Sequence, residues 1–171
     1  MGSLTYVEGD LFKIAPKKAD ENNLVIIPHV VNDAGKWGKG FVLSVSKFCD
    51  GAEKAYRTWH KRGWLYLGRT QYLNLMDDGS SANICIVNMV AQTYGGKRPL
   101  FYNALANCMD EVAQTFTLRE DNPTIHAPAF GSGLAGGDWR IIEALIEDCW
   151  LRYGRGYDVT IYYLPGQDPR L

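Results

Sequence analysis

The stretch Pro128-Ala-Phe-Gly-Ser-Gly-Leu-Ala-Gly-Gly-Asp-Trp139 leaves few folds open to this chain. It follows a strand-like run, Thr124-Ile-His-Ala127, and leads into an amphipathic helical pattern that begins at Trp139. Gly131, Gly133, Gly136 and Gly137 fall within seven residues, more than a simple chain reversal needs. Glycine reaches φ > 0 and lets a ligand approach the backbone amides closely. A strand, a Gly-rich loop and a helix N-terminus together form an anion site, and the ligand they point to is a phosphate or pyrophosphate. The plainer reading is a long connection that binds nothing. Against it stands a second loop of the same design, His29-Val-Val-Asn-Asp-Ala-Gly-Lys-Trp-Gly-Lys-Gly-Phe41. There too an apolar strand, Leu24-Val-Ile-Ile27, runs into glycines and then into a helical stretch.

The 171 residues suit one domain, 1–171, with its core over about 4–165. Eighteen basic and nineteen acidic residues give a net charge of −1, no electrostatic footprint for bulk nucleic acid or membrane. A specific contact with a nucleic-acid end stays compatible with that balance. No apolar run approaches the roughly 18–20 residues of a membrane span, and Met1-Gly-Ser-Leu lacks a charged leader into an apolar core. Cys49, Cys85, Cys108 and Cys149 form no CxxC pair and read as small buried hydrophobes. The expectation is a cytoplasmic, reduced monomer with no structural metal and no cofactor.

Strands are expected at Leu4–Glu8, Leu24–Pro28, Gly68–Leu75, Asn83–Ala91, Thr124–Ala127 and Val159–Leu164. Asp77-Asp-Gly79 reads as a hairpin turn between the third and fourth of these. Helical spacing recurs from Phe41, over Gly51–Lys61, through Leu105, Cys108, Met109, Val112 and Phe116, and from Trp139 toward Gly154. Ile14–Asn23 reads as a loop or short helix, and Thr93–Pro99 as a loop able to cover a site. Alternating strands and helices around one hairpin predict an α/β sandwich with a mixed sheet. Asn88 and Gln92 interrupt an apolar strand, where an unpaired buried amide costs about 1–3 kcal/mol. They either tie down neighbouring loops or meet a ligand. His60 reads as a helix-surface residue.

Gly9-Asp10 after the first strand, the loop His29–Phe41, Asn88-Met-Val-Ala-Gln92 and the loop Gly131–Trp139, in that order, resemble a macrodomain. The resemblance runs from about Tyr6 to Leu164 and is closest to the branch of ADP-ribose-1″-phosphate phosphatases and glutamate-ADP-ribose glycohydrolases. It implies a three-layer α/β/α sandwich with a mixed central sheet and an ADP-ribose cleft across the strand ends. Asp10, with Leu11, would meet the adenine, and Tyr162 would lie against its ring. Gly131, Ser132, Gly133, Leu134, Ala135, Gly136 and Gly137 would wrap the pyrophosphate, ahead of Asp138. Asn32, Gly38, Gly40, Phe41 and Gln92 would line the path to the distal ribose. The implied partner is ADP-ribose, free or on a protein or nucleic acid.

The departures bear on mechanism. The glycohydrolase branch places a lysine where Met89 or Val90 stands and an aspartate where Ala135 stands, so that route lacks both groups. Other candidates are Asn32 for orienting ribose hydroxyls, Asp33 or Asp138 for a water, and His29 or Lys39 for developing charge. Each has a plain counterpart: Asp138 as a helix N-cap, Asp33 as a turn residue, Lys39 as a solvated cation, His29 as a structural hydrogen-bonder. Two function classes follow, a hydrolase of ADP-ribosyl or phosphate groups and a non-catalytic ADP-ribose reader. An unrelated nucleotide-binding module stands only if the resemblance fails.

Overall fold

The computed structural model describes residues 1–76 and 82–171. The expected turn at Asp77–Gly79 lies outside the described residues. Six strands form one sheet: β1 (Leu4–Glu8), β2 (Val25–Asn32), β3 (Thr70–Asn74), β4 (Ile84–Gln92), β5 (Thr124–Pro128) and β6 (Val159–Tyr163), in the order β1-β6-β5-β2-β4-β3. Every pairing is parallel except β3 with β4. Five carboxyl ends therefore meet along one edge.

The helices are α1 (Leu11–Ile14), α2 (Phe41–Phe48), α3 (Ala52–Lys61), α4 (Tyr102–Thr115) and α5 (Trp139–Ile146). A 3₁₀ turn, Ala15–Lys18, extends α1, and a π-helical turn, Glu147–Arg152, extends α5. Strand side chains alternate between faces, which divides the core in two. Leu24 and Ile26, with Cys85, Val87, Met89 and Ala91, pack toward Leu105, Met109 and Val112 of α4 and Ile142 and Ile146 of α5. Val25 and Ile27, with Ile84, Ile86 and Val90, pack toward Val42 and Val45 of α2 and Tyr56 of α3. The result is the α/β sandwich with a mixed sheet that the alternation of elements predicts, in the three α/β/α layers that the resemblance implies. All four cysteines are buried, as their apolar settings predict.

Strand β2 runs further than expected. Its apolar run is broken by Pro28 and His29, yet the strand continues to Asn32, because β4 pairs with it residue by residue and both its faces are covered. Toward β5 the pairing is limited to Val25 with Thr124 and Ile26 with Ile125. Pro28 lies just beyond and has no N–H to continue a ladder. The two strands part there, and a crevice opens at the carboxyl edge, where open α/β sheets take ligands.

Candidate functional site

Three adjoining chambers make up the crevice. The first, about 400 Å³, lies over β1 and β6 and is lined by Gly9, Asp10, Leu11, Phe41, Ser44, Tyr162, Tyr163, Leu164 and Gln167. The middle one, about 310 Å³, lies between the two Gly-rich loops, with His29, Gly40, Gln92, Gly131, Gly133, Leu134 and Ala135 in its wall. The third, about 520 Å³, is lined by Asn32, Lys36, Trp37, Gly38, Lys39, Arg57, Gln92, Tyr94 and Gly95. Gly40, Phe41 and Gln167 belong to both the first and the middle chamber; Lys39, Gln92 and Leu134 belong to both the middle and the third.

At the first chamber, the Asp10 carboxylate caps α1 by accepting from the Phe12 amide at 3.0 Å and also borders the open space. Tyr162 forms its floor, with its hydroxyl 2.8 Å from His126 Nδ1; burial pushes the phenol up to about 12. Only 3% of Tyr162 is exposed, so little ring surface is open. Phe41, stacked on Phe12 at 5.5 Å, and the exposed Leu164 offer the broader apolar walls. Ser44 and Gln167 had no distinguishing pattern in the sequence. Gln167 comes from a polar tail that folds back, with the Arg170 guanidinium 4.1 Å from the Tyr6 ring centre.

The second Gly-rich loop divides into two parts. Gly136 N–H donates to Gly133 O at 3.1 Å and Gly137 N–H to Gly131 O at 2.8 Å, so these amides serve the loop itself. Of the expected stretch Gly131–Gly137, Gly131, Gly133, Leu134 and Ala135 line the middle chamber. Ser132 turns back to the Ala129 carbonyl. Gly137 has a packing reason to be glycine: an added Cβ would fall 2.4 Å from Leu100 and 2.5 Å from Gly131 O. The expected N-cap role of Asp138 is met, since its carboxylate accepts from the Arg140 amide at 2.9 Å and pairs with the Arg140 guanidinium. Asp138 lies outside the lining of all three chambers.

The catalytic candidates fare differently. His29 is not a loop residue; it sits inside β2, 1% exposed, and burial pushes its imidazole down to about 4. The ring is held at 2.5 Å by Asn88 and still borders the middle chamber. Asn32 ends β2, and its side chain organises the first loop. Its Oδ1 accepts from the Ala34 and Lys36 amides and the Tyr56 hydroxyl, while Nδ2 donates to Lys36 O at 2.7 Å. One N–H remains for any ribose. Asp33 lies outside the chamber linings, so it is not placed to activate a water in them. Lys39 is exposed and lines the middle and third chambers.

Sequence reasoning missed Lys36, Arg57 and Tyr94 in the third chamber. Lys36 lies 5.7 Å from the Tyr94 ring centre, and Arg57 reaches from α3 to donate to Gly35 O at 3.1 Å. Among the described residues no carboxylate lines this chamber. Asn88 settles to the structural side. It is fully buried and bridges His29 and Gln71. Met89, Val90 and Ala135, where the resemblance would look for a lysine (at Met89 or Val90) and an aspartate (at Ala135), are all buried.

No protein-family model matches the chain. Among curated proteins, an uncharacterized 17.5 kDa protein of Enterobacteria phage T4 is 39% identical over 46 residues, 27% of this chain and 30% of the phage protein. An ADP-ribose 1″-phosphate phosphatase of Lodderomyces elongisporus is 22% identical over 151 residues, 85% of this chain and 91% of that protein. The fold is also that of Thermosipho africanus DarTG in complex with ADP-ribose, with TM-score 0.73 and 19% identity over 97% of this chain and 42% of that one. A macrodomain protein from Streptomyces coelicolor is 34% identical, with TM-score 0.73 over 94% of this chain and 99% of that structure. With that identity over nearly the full length of both chains, and the crevice at the same sheet edge the motifs point to, this chain belongs to the macrodomain family.

Proposed function

We propose that the crevice binds ADP-ribose, with adenine in the first chamber, the pyrophosphate between the Gly-rich loops and the distal ribose in the third chamber, and that the chain hydrolyses ADP-ribose-1″-phosphate. The observation that carries the hydrolase reading is the third chamber's charge. Lys36, Lys39 and Arg57 line it, and no carboxylate among the described residues does. A terminal phosphate is the group such a wall favours over a glutamyl ester, which would bring no charge. Phosphoryl transfer spreads negative charge over the equatorial oxygens, so cations held in place supply most of what catalysis needs, with a water aligned to the phosphorus. Lys39, at the mouth shared with the middle chamber, is the candidate catalytic residue, with Lys36 and Arg57 beside it. Asn32 acts on the reaction by fixing the loop that carries both lysines. The likeness to a curated ADP-ribose 1″-phosphate phosphatase supports this substrate.

A second reading is favoured by a different observation. Met89 or Val90 and Ala135 stand where the resemblance places the glycohydrolase lysine and aspartate, and the loss of both suits a module that holds ADP-ribose without cleaving it. Phosphate release from ADP-ribose-1″-phosphate separates the two. Turnover that drops about 10²-fold or more in Lys39→Ala, with a smaller loss of ADP-ribose affinity, supports the hydrolase. Tight ADP-ribose binding without phosphate release supports the reader.

A further inference from the structure

The whole-chain charge of −1 conceals a strongly uneven distribution. From Lys54 to Met76 the sequence contains Lys54, Arg57, Lys61, Arg62 and Arg69 and not one Asp or Glu. These residues span most of α3, the segment after it and β3. Interleaved with the cations are Trp59, Trp64 and Tyr66, drawn into one cluster. Trp64 meets Trp59 edge to face at 5.8 Å, and its amide donates to Trp59 O at 2.9 Å. The Arg69 guanidinium lies 4.5 Å from the Trp59 ring centre, 5.1 Å from Tyr66 and 5.9 Å from Trp64. Arg69 Nη1 donates to Trp64 O, and the Arg62 guanidinium lies 4.9 Å from the Trp64 ring centre.

This cluster stands on the surface. Trp64 is 38% exposed and Tyr66 56%, and Lys54, His60, Lys61 and Arg62 are all exposed. Of the acidic groups nearby, Glu53 is already paired with Arg57. Trp59 packs partly against the core, but Trp64 and Tyr66 stand exposed among the cations and belong to neither core cluster. Nor does the third chamber explain them, although Arg57 lines it one helical turn from Lys61.

We propose that this ridge is a binding surface for single-stranded nucleic acid. Alternating cations and aromatic rings match that ligand on both of its chemistries, because phosphates need positive charge and unpaired bases need flat faces to stack on. An acidic peptide would use the cations and leave the rings idle. Duplex DNA would hide the bases that Trp64 and Tyr66 could stack. The cation–π contacts keep the guanidinium groups of Arg62 and Arg69 beside these rings, so charge and ring surface are presented together. The inference goes beyond ADP-ribose recognition and does not depend on it.

Fluorescence anisotropy with a labelled twelve-nucleotide oligo(dT) at low salt tests it. The full chain should bind, and raising salt should weaken binding with a log–log slope of about −2 to −3, as three or four phosphate contacts give at about −0.7 each. Trp64→Ala and Tyr66→Ala should each weaken binding roughly 5- to 100-fold, as loss of base stacking does. Arg62→Ala should flatten the salt slope by about 0.7. Thermal unfolding of the same variants checks that they fold, and Trp64→Phe, which keeps a stacking face, should recover most of the affinity. Absence of oligonucleotide binding, or binding by the two alanine variants as tight as that of wild type, overturns the proposal. So does displacement of the oligonucleotide by an equal charge of poly-glutamate, which would mark an acidic-peptide surface. Calorimetry of these variants with ADP-ribose reports separately on the crevice.

Discussion

His29 Nε2 lies 2.5 Å from Asn88 Oδ1 at the floor of the crevice, and that contact fixes which nitrogen of the imidazole carries the proton. The chain of bonds starts at a backbone carbonyl, which can only accept. Gln71 Nε2 donates to Ala55 O at 3.0 Å, which leaves Gln71 Oε1 facing Asn88 Nδ2, also at 3.0 Å. Asn88 then presents Oδ1 to the histidine, so Nε2 bears the hydrogen and Nδ1 is a bare acceptor. Nδ1 is buried with no hydrogen-bond partner among the described residues.

His29 is therefore expected to be a neutral Nε2–H tautomer at every pH above about 5, a state that ¹⁵N shifts of the ring identify directly. Gln71→Leu removes the link to α3 and should allow the other tautomer to appear.

Acid stability follows from the same burial. His29 and His126 are both pushed down to about 4 from an ordinary 6.5, in each case first by burial, with Lys18 adding to the effect at His126. The unfolded chain then takes up protons at higher pH than the folded one. Their stabilisation is complete above pH 6.5 and is lost as pH falls toward 4, on the order of 3 kcal/mol for His29. Denaturant titrations between pH 7 and 4 should show this slope. His29→Gln, which still donates to Asn88, should flatten it.

The glycines of the second loop should separate by position. Gly133 has nothing within 4 Å of an added Cβ and no positive φ, so Gly133→Val should keep the wild-type Tm and lose ADP-ribose affinity by blocking approach. Gly136 sits at φ +70° with Lys97 O 3.0 Å from a Cβ, so Gly136→Val should cost about 1–3 kcal/mol of stability as well. Equal Tm values for the two variants would contradict the loop conformation.

Asp138→Ala should lower Tm by a few degrees through loss of the cap and leave ADP-ribose affinity and phosphate release unchanged. A large rate effect would return Asp138 to the reacting groups.

The periodicities carried the sandwich and its helices, because strand alternation and helix faces are local properties. Register is not local. His29, Asn88 and Gln71 each looked like an isolated polar residue in an apolar run, yet β2, β4 and β3 set them side by side. The same pairing drew His29 and Asn32 out of the expected loop and into β2. Two Gly-rich loops were legible from glycine spacing, and the resemblance placed them at one cleft. Arg57 and Gln167 were not, since one reaches the crevice from a helix face and the other from a tail with no period. The acid-free stretch 54–76 was plain in the sequence but cancelled in the whole-chain charge.

Calorimetric titration with ADP-ribose, run on wild type and Asp10→Ala, bears most directly on the crevice as an ADP-ribose site. Wild type should bind one equivalent, and a ligand at 100 times Kd should add about 2.7 kcal/mol of stability. Asp10→Ala should weaken ADP-ribose about 10- to 100-fold while leaving ribose-5-phosphate, which has no adenine, unaffected. No heat and no gain in Tm at saturating ADP-ribose would contradict the account.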